Sequence, residues 1–276
     1  SALIAYSKRK GVALKNRTIG IVGVGQVGSR VAKSCEMLGM KVLLNDPPRA
    51  RKEGPSKFVS LQEIQDKADI ITFHVPLNMD GIDRTYHMVD AGFGRRLKNK
   101  AVLINTCRGE VFDTAAVYKA RVSGLLSGLI IDCWENEPAL DLGLLRVVDY
   151  ATPHIAGYSR DGKANGTRVS VRAISRFFNL GIDDWEPRGI EAPANPVIEL
   201  SGYKQSKEQV LAEAILSTYD IENDDKALRD TPGLFEQLRG DYPVRREFDS
   251  YSVRVINDVP GIIETLKELG FNVFKN

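Results

Sequence analysis

Residues 18–28 run Thr-Ile-Gly-Ile-Val-Gly-Val-Gly-Gln-Val-Gly, and no other stretch restricts the fold as much. A short apolar strand, Ile19 to Val22, leads into Gly23, Gly25, Gln26, Val27 and Gly28, and a helix is expected from Ser29 to Leu38. Gly23 suits the tight turn out of the strand. Gly25 leaves room for a pyrophosphate against the backbone, and Gly28 lets the helix pack close to the strand. Amides left open at the helix N-terminus favour the phosphate charge. A second strand, Met40 to Leu44, ends at Asn45-Asp46, which puts Asp46 18 residues after Gly28. An acid at that distance hydrogen-bonds the adenosine ribose and repels a 2′-phosphate. With a strand before it and a helix after it, the motif reads as a dinucleotide site, for NAD rather than NADP. Arg49 and Arg51 close by keep NADP open.

The rest of the chain fits that reading. From Thr18 onward strands and helices alternate. Pro47-Pro48 is expected to break the chain, and Ser60-Leu61-Gln62-Glu63 is a capping box opening a helix to Lys67. Further strands are expected at Asp69–Val75, Ala101–Asn105 and Leu129–Asp132, separated by helical stretches around 89–97 and 114–122. This repetition predicts an α/β fold, a Rossmann-type doubly wound parallel sheet, with ligands beyond the carboxyl ends of its strands. The 276 residues leave room for about two domains, and 43% hydrophobic residues supply a core. A net charge of +2 gives no electrostatic footprint for nucleic acid or an anionic membrane, and no run of 18 apolar residues is present. Cys35, Cys107 and Cys133 are odd in number and lack metal-ligand spacing, so no metal site is expected. They fit reduced thiols in a cytoplasmic protein.

Three loops at the expected strand ends carry reactive groups. They are Asn105-Thr106-Cys107-Arg108-Gly109, Asp132-Cys133-Trp134-Glu135-Asn136-Glu137-Pro138 and Thr152-Pro153-His154-Ile155-Ala156-Gly157-Tyr158. Taken singly, Arg108, Glu137 and His154 have ordinary explanations: a surface cation, a helix-entry carboxylate, a loop histidine. Together they compose a proton relay with an anion clamp. A histidine can take a hydroxyl proton, a carboxylate beside it favours the imidazolium, and a guanidinium can hold a substrate carboxylate through two bonds.

The glycine fingerprint with Asp46, the Asn-Thr-Cys-Arg-Gly segment, Glu137 before Pro138, and Pro153-His154 resemble the D-2-hydroxyacid dehydrogenase family. Four stretches sharpen the resemblance toward members acting on a small phosphorylated hydroxy acid: Asp46-Pro47-Pro48-Arg49-Ala50, residues 72–77, Asp80-Gly81 and residues 154–167. The resemblance implies that His154 is the acid/base, that Glu137 pairs with it, and that Arg108 binds the substrate carboxylate. It implies NAD contacts from Gly23, Gly25, Gln26, Val27, Gly28 and Asp46, and a nicotinamide side formed by Val75, Thr106, Cys107, Arg108, Asp132 and Gly157. Tyr158 would touch the substrate. His74 is expected to shape the cofactor wall, and His87 to be a surface or helix-entry residue.

In that family a flavodoxin-like substrate domain precedes the cofactor domain. About a hundred residues of that kind are not in this sequence, whose first ten residues look like the later half of an amphipathic helix stopped by Gly11. The expected organisation is therefore an NAD-binding domain over 1–156, a return segment of the substrate domain over 157–186, and a small α+β domain over 187–276. Such a chain is expected to bind NAD and turn over poorly. The last domain has a thin core, which a homodimer interface would complete, as the resemblance also implies. Its Arg229, Arg239, Arg245, Arg246 and Arg254 are expected to form a solvated charged face. The competing readings are another D-2-hydroxyacid dehydrogenase, of phosphoglycerate or glyoxylate type, and a non-catalytic NAD-sensing protein of the same fold.

Overall fold

A computed structural model describes residues 1–98 and 100–274. After the helix α1 (Ala2–Lys10) the chain alternates strands and helices, with α3 and α7 additional to those the sequence predicts: β1 (Thr18–Val22), α2 (Gln26–Met37), β2 (Lys41–Asn45), α3 (Pro47–Glu53), α4 (Leu61–Lys67), β3 (Ile70–Phe73), α5 (Ala91–Arg95), β4 (Ala101–Asn105), α6 (Thr114–Val122), β5 (Leu126–Ile131), α7 (Leu142–Val147) and β6 (Tyr150–Ala151). The six strands pair in parallel in the order β2-β1-β3-β4-β5-β6. The order reverses between β1 and β3, and the crevice at such a switch point is where open α/β sheets take ligands. β1, β3, β4 and β5 read as near-continuous apolar runs because helices cover both faces of the sheet.

Two of the boundaries that move bear on the site. The first helix begins at Gln26, inside the glycine fingerprint, with Gly25 as its N-cap. Pro47-Pro48 does not break the chain but opens α3, with Asp46 capping it by accepting from the Arg49 amide. Proline at the first helical position loses no bond, since that amide has no partner in the helix.

Contacts divide the chain into two units, residues 1–156 with 221–240, and residues 157–220 with 241–276. Residues 221–240, which the sequence suggested as part of the last domain, thus pack on the Rossmann unit as α10 (Ile221–Asp230) and α11 (Phe235–Gly240). Asp225 accepts the Ala151 amide at 2.7 Å, closing the exposed edge of β6, and Tyr150 donates to Glu222. Arg229 grips Asp225 and donates to the carbonyls of Leu145 and Val148 at 2.6 and 3.0 Å. Leu228 and Phe235 enter the same apolar core as Trp134 and Leu144.

The second unit holds α8 (Arg160–Phe178), β7 (Val197–Ser201), α9 (Lys207–Thr218), β8 (Ser252–Ile256), α12 (Ile262–Leu269) and β9 (Asn272–Phe274). Its strands form a parallel sheet in the order β7-β8-β9. Val210, Ala214, Val253, Ile262 and Leu266 are buried in it. Ser159 caps α8, and Asp161 in its first turn accepts two bonds from Arg246 at 2.8 and 2.9 Å. The expected solvated arginine face is therefore partly paired: Arg246 with Asp161, Arg254 with Glu199, and, in the first unit, Arg229 with Asp225. Val169, Ile174, Phe177 and Phe178 of α8 are exposed.

Candidate active site

The site has two parts along the carboxyl ends of the strands, one at the switch point and one toward β6. On the β1–β3 side a cavity of about 220 Å³ is lined by Gly23, Gly25, Asp46, Pro48, His74 and Val75, among others. The glycines are there for room. A Cβ on Gly23 would fall 2.7 Å from the His74 carbonyl, and one on Gly28 would fall 2.0 Å from the Gly23 carbonyl oxygen, so strand, turn and helix close up tightly. In front of Gly25 nothing lies within 4 Å. That open space sits at the N-terminus of α2, whose cap makes no side-chain hydrogen bond, and it suits a pyrophosphate. Asp46 accepts the Val24 amide at 2.8 Å and the Arg49 amide at 3.0 Å, which holds its carboxylate at the cavity edge. Gln26 and Val27 are exposed on the first turn of α2. These residues fit a dinucleotide: a glycine cradle with open space, helix amides, and an acid at the ribose end.

His74 contributes to the cavity wall as expected. Its Nε2 lies 3.1 Å from the Thr72 hydroxyl, and burial pushes its pKa down to about 4. It is neutral at ordinary pH and is not a proton carrier there.

On the β4–β6 side, the structure brings Glu137 and His154 together. His154 Nδ1 lies 2.5 Å from Glu137 Oε1, and Glu137 Oε2 accepts the Trp134 amide at 3.0 Å. Fixing Nδ1 on a carboxylate leaves Nε2 as the nitrogen for proton exchange. The bond from Glu137 holds His154 above its usual pKa, against an opposing effect of burial. Burial pushes Glu137 up, but the bonds from His154 and Trp134 outweigh it and its pKa is lowered. Arg239 on α11 adds a positive charge that lowers both groups. Sequence reasoning placed this arginine on a solvated face, because nothing local to it indicates that α11 packs near the relay.

The opposite shifts have opposite pH consequences. A histidine raised in the fold contributes stability that is complete below its unfolded pKa and is lost as pH rises through the folded one. A depressed carboxylate contributes above its unfolded pKa and loses that contribution as pH falls through the folded one. The pair therefore adds its full contribution between the unfolded pKa of the glutamate and that of the histidine, and loses it as pH rises through the raised His154 pKa or falls through the lowered Glu137 pKa.

Asp132 is 3% exposed, and its carboxylate accepts from the Thr152 hydroxyl at 2.7 Å and the amides of Ile155 and Ala156 at 2.7 and 3.0 Å. Burial pushes its carboxyl up against those bonds. Its carbonyl also accepts the His154 amide at 2.8 Å. Asp132 thus ties down the turn in which His154 takes a left-handed φ of 54°. The sequence suggested only a nicotinamide-side contact for it.

Arg108 stands exposed at the end of β4, its Nη1 donating to the Cys107 carbonyl at 2.6 Å. Asn105, fully buried, fixes this loop. Its side-chain amide donates to the carbonyls of Arg108 and Cys133, and its oxygen accepts the Cys107 amide at 3.1 Å. A Cβ on Gly109 would fall 2.0 Å from the Trp134 carbonyl, so the Arg108 loop lies directly on the loop carrying Glu137. Thr106 is half-buried at the same strand end, and burial pushes the Cys107 thiol up, so it is no thiolate. Gly157 and Tyr158 belong to the second unit, where Lys163 Nζ sits 4.0 Å over the Tyr158 ring. The third histidine, His87, is not a plain surface residue: its Nε2 lies 2.5 Å from Glu135, which also accepts the Thr114 amide.

Residues 3–156 match the family described as D-isomer specific 2-hydroxyacid dehydrogenase, NAD binding domain, and residues 192–270 match one described as a domain of unknown function (DUF3410). An erythronate-4-phosphate dehydrogenase of Bacteroides fragilis is 49% identical over 253 residues, which cover 92% of this chain and 70% of the relative. One from an Enterobacter species is 42% identical over 283 residues, covering 100% of this chain and 73% of the relative. Among solved structures, a D-lactate dehydrogenase of Aquifex aeolicus complexed with NAD and lactic acid has a TM-score of 0.53 at 30% identity, over 66% of this chain and 62% of that one. An NAD-dependent formate dehydrogenase of Staphylococcus aureus in complex with NAD has a TM-score of 0.53 at 28% identity, over 63% of this chain and 53% of that one. The chain thus spans less than two thirds of these solved structures and somewhat more than two thirds of the named relatives.

Proposed function

We propose that this chain, which belongs to the D-isomer specific 2-hydroxyacid dehydrogenase family, oxidises 4-phosphoerythronate at C2 with NAD. The observation that carries this reading is the His154–Glu137 pair, held at 2.5 Å beside the Arg108 loop and on the same sheet end as the dinucleotide cavity. The names of the relatives choose the substrate within the family.

When bound, NAD supplies the hydride acceptor. Arg108 takes the substrate carboxylate, which orients C2 and its hydroxyl. His154 Nε2 accepts the C2 hydroxyl proton as the C2 hydrogen leaves with its electron pair. Glu137 keeps the imidazole in the right tautomer and stabilises the imidazolium that results. The product is 2-oxo-3-hydroxy-4-phosphobutanoate. Gly23, Gly25, Gln26, Val27, Gly28 and Asp46 serve the pyrophosphate and ribose, and Val75, Thr106, Cys107, Asp132 and Gly157 the nicotinamide side. Tyr158 serves the substrate. The reading places the reaction in pyridoxine 5′-phosphate (vitamin B6) biosynthesis, in a cytoplasmic homodimer joined through the C-terminal region. Among the described residues no helix is long and apolar enough to cross a membrane.

The test is NADH formation from 4-phosphoerythronate, 3-phosphoglycerate and a simple 2-hydroxy acid, with NAD supplied in excess. Selective turnover of phosphoerythronate supports the assignment. Preference for another acid would move the substrate while keeping the mechanism, and bound NAD without any turnover, also when the chain is joined to the N-terminal substrate domain of a relative, would favour a sensor.

A pH profile tests the relay separately. In the oxidation direction His154 works as the neutral base, so activity rises as pH passes through its raised pKa. Removing the Glu137 charge removes the main cause of that rise. Glu137→Gln is therefore expected to shift the acidic limb of kcat to lower pH while reducing its plateau. An unmoved limb would mean that the limb reports another group.

A further inference from the structure

Arg49 and Arg51 lie three and five residues after Asp46, where an arginine in related folds accommodates a 2′-phosphate. In the structure both are engaged by carboxylates. Arg51 Nη2 bonds Asp83, a residue of the opposite cavity wall. Arg49 is engaged more completely. Its Nε and Nη2 make a two-pronged bond to Glu53 at 2.6 and 2.7 Å, and its Nη1 donates to the Val24 carbonyl at 2.5 Å. The guanidinium also lies over the Phe58 ring, 5.4 Å from its centroid. Val24, the middle residue of the glycine turn, is thus bonded at its amide by Asp46 and at its carbonyl by Arg49. Asp46 bonds the Arg49 backbone amide and its charge acts on the guanidinium, whose Nε and Nη2 are both turned to Glu53.

We infer that Glu53 is a specificity-determining residue for the dinucleotide: by occupying Arg49 it denies a 2′-phosphate its cationic partner and so reinforces the choice of NAD over NADP. The inference rests on the NAD reading above and adds to it. Asp46 alone repels a 2′-phosphate, but an unoccupied arginine beside it would offset that repulsion. A phosphate is a strong partner for a guanidinium fork. Glu53 competes for that fork through a preformed i,i+4 pair on α3 and adds a second negative charge of its own. The pair is exposed, and exposed pairs hold weakly, so the discrimination depends on Glu53 being charged.

The experiment measures dissociation constants for NADH and NADPH by fluorescence titration, on the wild type, Glu53→Gln, Arg49→Gln and the double variant. Glu53→Gln is expected to tighten NADPH about tenfold, the size of one charge-assisted hydrogen bond, and to leave NADH within about twofold on the same scale. The gain is expected to vanish in the double variant and to shrink with added salt. Unchanged NADPH binding by Glu53→Gln, with NADH still bound, would overturn the role of Glu53 and leave the NAD reading intact. A gain that persists in the double variant would overturn the role of Arg49 as phosphate partner, and the inference with it. No NADH binding by the wild type would remove the NAD reading itself.

Discussion

Replacing His154 by asparagine is expected to lower kcat for the hydroxy acid by about 10²- to 10⁴-fold, the usual contribution of a positioned acid/base. Affinity for NADH is expected to stay near the wild-type value. Asparagine is the informative choice because His154 sits at φ 54°, a left-handed conformation that most side chains resist and asparagine tolerates. Alanine or glutamine would add backbone strain in the turn that Asp132 ties down, and a lost rate could then reflect a displaced loop. The cavity for the pyrophosphate and ribose is lined from β1, β2 and β3 and the segment after β3, away from that turn, so binding of that end of the dinucleotide provides a control within the same molecule. Steady-state rates and NADH titration decide the matter. A loss below about tenfold would show that another group carries the proton, since acid/base roles rarely contribute so little.

The parts of this site that were legible in the sequence are those whose chemistry is local. The glycine turn announces itself because each glycine answers a separate steric demand within a few residues, and Asp46 follows at a fixed interval set by one helix and one strand. Arg108, Glu137 and His154 could be grouped because parallel strands send all their carboxyl ends to one side. The groups that position them were not legible. Asn105 looks like an ordinary polar strand end, yet it joins two loops through partners 3 and 28 residues away. Asp132 looked like a cofactor contact, yet it accepts three bonds from the turn around His154. Those roles depend on which strands neighbour one another, and residue spacing does not encode that.

The fold divides in the same way. The Rossmann strands were readable because burial on both faces makes them continuously apolar, and capping residues such as Ser60 mark helix starts. Of the elements that escaped, three did so for identifiable reasons. α3 opens on two prolines, which signal a break until their position in the first turn is known. β7 follows a proline-rich stretch that reads as a linker. α10 is a polar helix with few apolar side chains, and its attachment to the edge of β6 works through Asp225 and Arg229, residues that look solvated when their partners are more than 70 positions away.

Asp149 carries the largest expected effect on stability, about 3 kcal/mol lost in Asp149→Ala. Its side chain is 4% exposed, and one carboxylate draws in cations from two helices: Lys10 at 2.9 Å and Arg9 at 3.6 Å from α1, and Arg121 at 3.2 Å from α6. It also accepts the Leu129 amide at 3.0 Å, in the middle of β5. Removing one member of a buried charge cluster leaves the others without compensation, which costs about 3–5 kcal/mol. The lower end applies because all three cations are partly exposed and can recover water. For a protein of this size the melting temperature should fall by roughly 6–12 °C. Asp149→Asn, which keeps an acceptor for the Leu129 amide, should fall by less. Asp149 stands immediately before β6, and β6 leads to His154, but the His154 turn is held independently by Asp132 and Glu137. The surviving folded fraction should therefore keep the wild-type kcat at a temperature well below the lowered melting point. Thermal and urea unfolding read the first effect, and turnover reads the second. A loss of less than about 1 kcal/mol, the range of an exposed ion pair, would show that the cluster gains little over solvated charges. A collapse of kcat in fully folded protein would show that α1 and α6 hold the relay as well as the fold.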